Sequence, residues 1–144
     1  MPRLREGFAK SGGERAQFEI TGGGFIATGA DDAAVAKMFE WVRQRVAFYG
    51  STPGYWPVLD LHGLGDLGRE LNALSKQGRW EDMTRSIVVH LFAAVGTHRD
   101  LAAAIERRFG GISDAVNVGA GVPSDVLQDV RRIPATFGGY RPRW

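Results

Sequence analysis

Apolar residues recur along the chain in two rhythms, and glycine sets most of the boundaries between them. Leu4 and Phe8 share one helix face between Pro2 and Lys10, and Ser11-Gly12-Gly13 stops that run. Phe18-Glu19-Ile20 opens an extended segment that continues through Phe25-Ile26-Ala27-Thr28. This reads as one strand whose Gly22-Gly23-Gly24 middle is weak and suited to a bulge. Gly29-Ala30-Asp31-Asp32 is a turn in which Asp31 or Asp32 caps the next helix. That helix runs to about Tyr49, with Val35, Met38, Phe39, Val42, Val46 and Tyr49 on a single stripe, and Gly50-Ser51-Thr52-Pro53-Gly54 breaks it.

Three shorter helical pieces are predicted next: Tyr55 to His62, Asp66 to Gln77 and Arg79 to about Leu91. Phe92-Ala93-Ala94-Val95 is short and apolar, and Gly96-Thr97 opens a helix from His98 to Phe109 with Leu101, Ile105 and Phe109 inward. Asp114 to Val118 reads as a compact strand, Pro123 to Arg132 as a last helix with proline near its first turn, and 133–144 as a turn-rich tail. The excursion over 30–96 thus separates two strands in a βα alternation, which predicts a parallel arrangement. Two strands cannot shield so many amphipathic helices. The pattern therefore predicts a single partial domain over 1–144, cut from a larger α/β fold.

Composition adds mostly exclusions. With 44% hydrophobic and 24% charged residues the chain has a globular balance. No apolar run approaches the roughly 20 residues a bilayer requires, and the polar start Pro2-Arg3-Leu4-Arg5-Glu6 lacks a secretory signal's apolar stretch. No membrane association and a cytoplasmic address are the expectations. Cysteine is absent, which removes disulfides, thiolate chemistry and iron–sulfur ligation. A net charge of +2, with Arg107-Arg108 placed to favour a helix C-terminus, gives no nucleic-acid footprint. Three scattered histidines predict no metal site. Thr21-Gly22-Gly23-Gly24 lacks the lysine of a phosphate loop, and neither Ser51 nor Ser113 stands in a nucleophile elbow.

His62 is the best titratable candidate, because imidazole exchanges protons near neutral pH; before Gly63 it equally reads as a helix C-cap residue. Tyr49 and Tyr55 flank a Ser-Thr-Pro turn, where aromatics either line a pocket or anchor packing.

The run Arg45-Val46-Ala47-Phe48-Tyr49-Gly50-Ser51-Thr52-Pro53-Gly54-Tyr55, followed by Val58-Leu59-Asp60-Leu61-His62-Gly63, resembles the luciferase-like monooxygenase superfamily, most closely its deazaflavin-dependent branch. Leu71-Asn72-Ala73-Leu74-Ser75, Gly78-Arg79-Trp80, Ala93-Ala94-Val95-Gly96-Thr97 and Arg108-Phe109-Gly110-Gly111-Ile112-Ser113-Asp114 extend the likeness over most of the chain. Ile87 to Leu91, where the family has a longer acidic stretch, and Thr21 to Gly24 depart from it.

The resemblance implies an α/β fold: the C-terminal fragment of a (β/α)8 TIM barrel, comprising strands seven and eight, with a helical insertion after strand seven. Barrel active sites lie at the C-terminal ends of the strands. On that reading the excursion is a lid carrying Tyr49, Ser51, Thr52, Tyr55, Trp56 and His62, His62 being the catalytic candidate. Asn117, Gly119 and Gly121 would stand at the mouth of strand eight, offering backbone N–H groups to a phosphate. The implied activity is that of an oxidoreductase or monooxygenase: hydride transfer to, or oxygenation of, a small organic substrate. FMN or the deazaflavin coenzyme F-420 is the implied cofactor. The implied first half of the barrel is not in this sequence, so the chain alone is expected to be inactive and to need a separate N-terminal half-barrel or a second copy. The alternative is a non-catalytic accessory or self-associating α/β module.

Overall fold

A computed structural model of the chain describes residues 2–12, 18–22, 24–84, 89–119 and 122–133. Helix α1 spans Pro2–Ser11, and Arg3 and Lys10 both bond to Glu6 from neighbouring turns, at 3.2 and 2.9 Å. These two cations, Lys10 foremost, hold the Glu6 carboxyl below its ordinary range. The expected first strand is two short ones, β1 (Thr21–Gly22) and β2 (Phe25–Gly29), with Gly23 outside the described residues.

Asp31 is the cap that starts α2 (Asp32–Gly50): its side chain accepts the Ala34 N–H at 2.8 Å, satisfying a donor that the first turn leaves over. A tight turn at Pro53–Tyr55 leads into α3 (Trp56–Leu61), and Gly65–Lys76 forms α4. Gly78 ends the segment after α4 at φ +71°, a conformation glycine adopts without steric cost. After that point two expectations fail. The predicted helix from Arg79 to Leu91 is instead a pair of single turns, Asp82–Thr84 and Val89–Leu91, with residues 85–88 outside the described set. The short apolar run then becomes a strand, β3 (Ala93–Thr97). A turn at His98–Asp100 precedes α5 (Leu101–Phe109), and β4 (Ala115–Val116) and α6 (Ser124–Arg131) follow. The tail beyond residue 133 lies outside the described residues.

Both strand pairings are parallel, as the βα alternation predicts. β2 aligns with β3 from Phe25 opposite Ala93 to Gly29 opposite Thr97, and β1 aligns with β4. Asp114 clamps the second pair: Ile20 donates its N–H to the Asp114 carboxylate at 2.8 Å, and the Asp114 N–H returns to the Ile20 carbonyl at 2.7 Å. Gly22 permits this approach, because a Cβ there would come within 2.7 Å of Ser113 Oγ and 3.0 Å of Val116.

The β2–β3 sheet is covered on both faces, and strand alternation decides which residue goes where. Phe25, Ala27, Ala93 and Val95 pack with Phe39, Val42 and Val46 of α2. Ile26 and Ala94 turn the other way, against Leu101, Ala104, Ile105 and Phe109 of α5 and Val130 of α6. A third cluster of Ala47, Leu71 and Met83 ties α4 to the far end of α2. Right-handed crossovers that leave in opposite directions put their helices on opposite faces in this way. Consecutive barrel staves would instead place β3 beside β4, whereas β4 pairs with β1. The described residues thus form a mixed α/β, helix-rich structure with small parallel sheets. The 30–96 excursion is the crossover joining two neighbouring strands, not an insertion after the penultimate one.

Candidate functional site

Helix α2 leaves the C-terminal end of β2 and runs back across the sheet for 19 residues, roughly 28 Å at 1.5 Å per residue. That is longer than β2, so the chain after α2 arrives at the N-terminal edge of the strands. Tyr49 accordingly stacks near Phe25, the first residue of β2, with ring centroids 5.9 Å apart, and Tyr55 meets Tyr49 edge-on at 5.3 Å. The lid expectation is corrected by this geometry: the Tyr49–His62 segment lies at the edge opposite the C-terminal strand ends, where Asn117 and Gly119 are found.

At the N-terminal edge, a cavity of about 430 Å³ is walled by Phe25, Tyr49, Tyr55, Val58 and Phe92, with Arg108 as its cation. Tyr49 and Tyr55 therefore do share a pocket wall. Ser51 does not reach it as a ligand group: it is buried at the end of α2, and its hydroxyl donates to the Phe48 carbonyl at 2.7 Å. Thr52 reaches the same carbonyl at 3.5 Å. The Ser51 carbonyl accepts from Asn72 at 2.8 Å, and Trp56 donates its indole N–H to the Gly50 carbonyl at 3.2 Å, so this turn is fully engaged in joining α2, α3 and α4. His62 is exposed, forms the C-cap of α3 and sets its ring edge-on to Phe92 at 5.6 Å. The sequence places Arg108 only at a helix end and in the run Arg108 to Asp114 that extends the family likeness. Its Nε is shielded from water and has no hydrogen-bond partner among the described residues.

The second crevice, about 670 Å³, opens at the C-terminal ends of the strands. Ile26 and Thr28 form its floor, Lys37, Met38 and Trp41 one wall, and His98, Val118 and Gly119 the other. Asn117 borders it: its side-chain carbonyl accepts the Gly119 N–H at 2.9 Å, and Gly119 takes φ +79° to make that turn. Gly121 lies outside the described residues. Lys37, Trp41 and Thr28 escaped the sequence reading. For the two on α2 the one local signal is spacing, Lys37 three residues after Ala34 and Trp41 four after Lys37, a second stripe beside the predicted one. Among the described residues, no group of three or more His, Cys, Asp or Glu side chains could hold a metal ion, and no helix is long and apolar enough to cross a membrane.

The model of one family, luciferase-like monooxygenase, matches residues 1–113. The chain belongs to the luciferase-like monooxygenase family. Uncharacterised proteins of Mycobacterium bovis and of two strains of Mycobacterium tuberculosis are each 44% identical to it over 119 residues. Those residues make up 81% of this chain and 35% of each relative, so the luciferase-like chain spans about a third of the length of the curated relatives it matches. No solved structure matches it.

Flavin or deazaflavin, the cofactor class associated with this family, does not fit the described residues taken alone. A tricyclic ring system and its phosphate need enclosing apolar walls and several convergent donors. The C-terminal crevice of this luciferase-like chain offers Lys37 and His98, but it is open along one side, and the two tyrosines stand at the other edge.

Proposed function

We propose that this chain supplies the C-terminal βα units of a flavin- or deazaflavin-dependent oxidoreductase, which acts on a small organic substrate by hydride transfer or oxygenation. The family match over residues 1–113 carries this reading, together with the chain's coverage of only 35% of its relatives' length. FMN or coenzyme F-420 supplies the redox chemistry when bound, and the protein's task is to orient it and exclude water.

In this reading the C-terminal crevice is the cofactor side. Asn117 and Gly119 form its rim at the ends of the strands, in a turn where the Asn117 side-chain carbonyl holds the Gly119 N–H. Tyr49, Ser51, Thr52 and Tyr55 brace the opposite edge. His62, the proton-exchange candidate of the sequence reading, serves there as the cap of α3.

The test is a fluorescence titration of the purified chain with FMN and with coenzyme F-420, first alone and then with the remaining polypeptide of the Mycobacterium tuberculosis relative. We expect no saturable micromolar binding by the chain alone and saturable binding by the reconstituted assembly. Micromolar affinity of the isolated chain would refute its dependence on further polypeptide. An assembly that forms and binds neither cofactor would sink the redox reading.

A further inference from the structure

Helices α2 and α5 cover opposite faces of the β2–β3 sheet, and both run back toward the N-terminal edge of the strands. Between their ends and α3 lies the cavity of about 430 Å³, within the roughly 300–1,000 Å³ range that holds small organic molecules. Its walls are mostly apolar. Phe25, Tyr49 and Tyr55 form an aromatic corner: the Phe25 and Tyr49 ring centroids are 5.9 Å apart, and Tyr55 meets Tyr49 edge-on at 5.3 Å. Tyr49, Tyr55 and Val58 are 38%, 47% and 45% exposed, so the corner opens at a mouth rather than being packed shut.

Arg108 brings the charge to this lining. Its Nε is shielded from water and bonds to nothing among the described residues, and no carboxylate side chain belongs to the described lining. A cation that serves only the helix C-terminus needs no such shielding. Arg107, one residue earlier and exposed, meets the helix dipole from solvent. A shielded N–H without an acceptor is a standing cost to the folded chain, and an oxygen placed there removes it. Nε and its neighbouring Nη form the planar fork that takes both oxygens of one carboxylate.

We propose that this cavity is a binding site for a small arylalkyl monocarboxylate, its carboxylate forked on Nε and an Nη of Arg108 and its ring against Tyr49 and Tyr55. The aromatic corner favours a flat ring, which meets the tyrosines through edge and face contacts. One cation suits one negative charge, whereas a phosphate dianion would keep part of its charge unpaired in an apolar setting. A neutral apolar molecule would fill the walls and leave the Arg108 Nε without an acceptor. The site goes beyond the redox reading and uses none of the residues at the C-terminal ends of the strands.

The test is a nuclear magnetic resonance titration of the full chain with phenylpropanoate, set against its uncharged amide and against acetate. The aryl acid should bind saturably and about tenfold or more tighter than either control, because only it offers both the forked carboxylate and the ring. Shifts should concentrate on the Arg108 Nε–H and on the rings of Tyr49 and Tyr55. Arg108→Lys keeps the charge but loses the fork, and should weaken binding about tenfold. Tyr55→Ala, at an exposed position, should weaken it several-fold. Arg107→Gln, exposed and outside the lining, should leave it unchanged. The proposal is overturned by equal affinity for acid and amide, by undiminished binding in Arg108→Lys, or by shifts centred on Lys37 and His98 at the other edge. Absence of saturable binding below about 10 mM overturns it too. So does displacement of the probe by the remaining polypeptide of the Mycobacterium tuberculosis relative, since that polypeptide would then be the occupant.

Discussion

Asp114 shows how much one side chain can hold when its partners come from far along the chain. Its carboxylate accepts the N–H of a residue 94 positions earlier, and its own N–H closes the return bond. Asp114→Ala leaves the Ile20 N–H without its acceptor in a part-buried setting. We expect a loss of about 1–3 kcal/mol, measured as a lower urea midpoint with unchanged slope. An unmoved midpoint would show that the β1–β4 pair is held by other contacts. Asp31 is the local counterpart. Its bond to the Ala34 N–H spans three residues, and for that reason it is legible in sequence while the Asp114 clamp is not.

Among the elements, α5 decides whether the sheet has a second covered face. Leu101, Ala104, Ile105 and Phe109 follow helical spacing, and all four are buried against Ala94 and Val116. Leu101 has no exposed surface. Leu101→Ala should cost about 2–5 kcal/mol, the range for a core leucine whose neighbours relax only partly. Ile112→Ala, at a position 46% exposed, should stay within about 0.5 kcal/mol. Similar losses for both, in denaturant unfolding, would mean that α5 does not form the core described. For α2 the sequence stripe is wider than the sheet it covers. Val42 and Val46 are buried, while Met38 and Tyr49 remain exposed at the two ends.

At the scale of the whole molecule, the exposed aromatic and aliphatic side chains are the main apolar surface left without packing among the described residues. Trp41, Phe48, Tyr55, Leu61 and Trp80 are all exposed, and they fall on the helices and turns of the crossover. A structure that completes its sheet elsewhere is stabilised by whatever completes it. Adding the complementary polypeptide of the relative at 100 times its dissociation constant should raise stability by about 2.7 kcal/mol. The checkable outcome is a rise in melting temperature that grows with concentration of the added polypeptide. No rise at saturating concentration would show that the two parts do not share a folded state.

The residues themselves determined most of the helices and their stops, though not the failed Arg79–Leu91 helix, together with the Asp31 cap, the parallel sense of the strands and the family, because each depends on short-range periodicity, turn chemistry or a contiguous motif. Tertiary structure alone decided that Ala93–Thr97 is a strand. A run of small apolar residues has no period of its own, and only the register with β2 and the helices on both faces make it extended. It also decided that Tyr49 and Tyr55 stand at one edge of the sheet and Asn117 and Gly119 at the other. That division follows from the length of α2 relative to β2 and from which edge of the strand each crossover leaves, and neither is written in any local stretch of sequence.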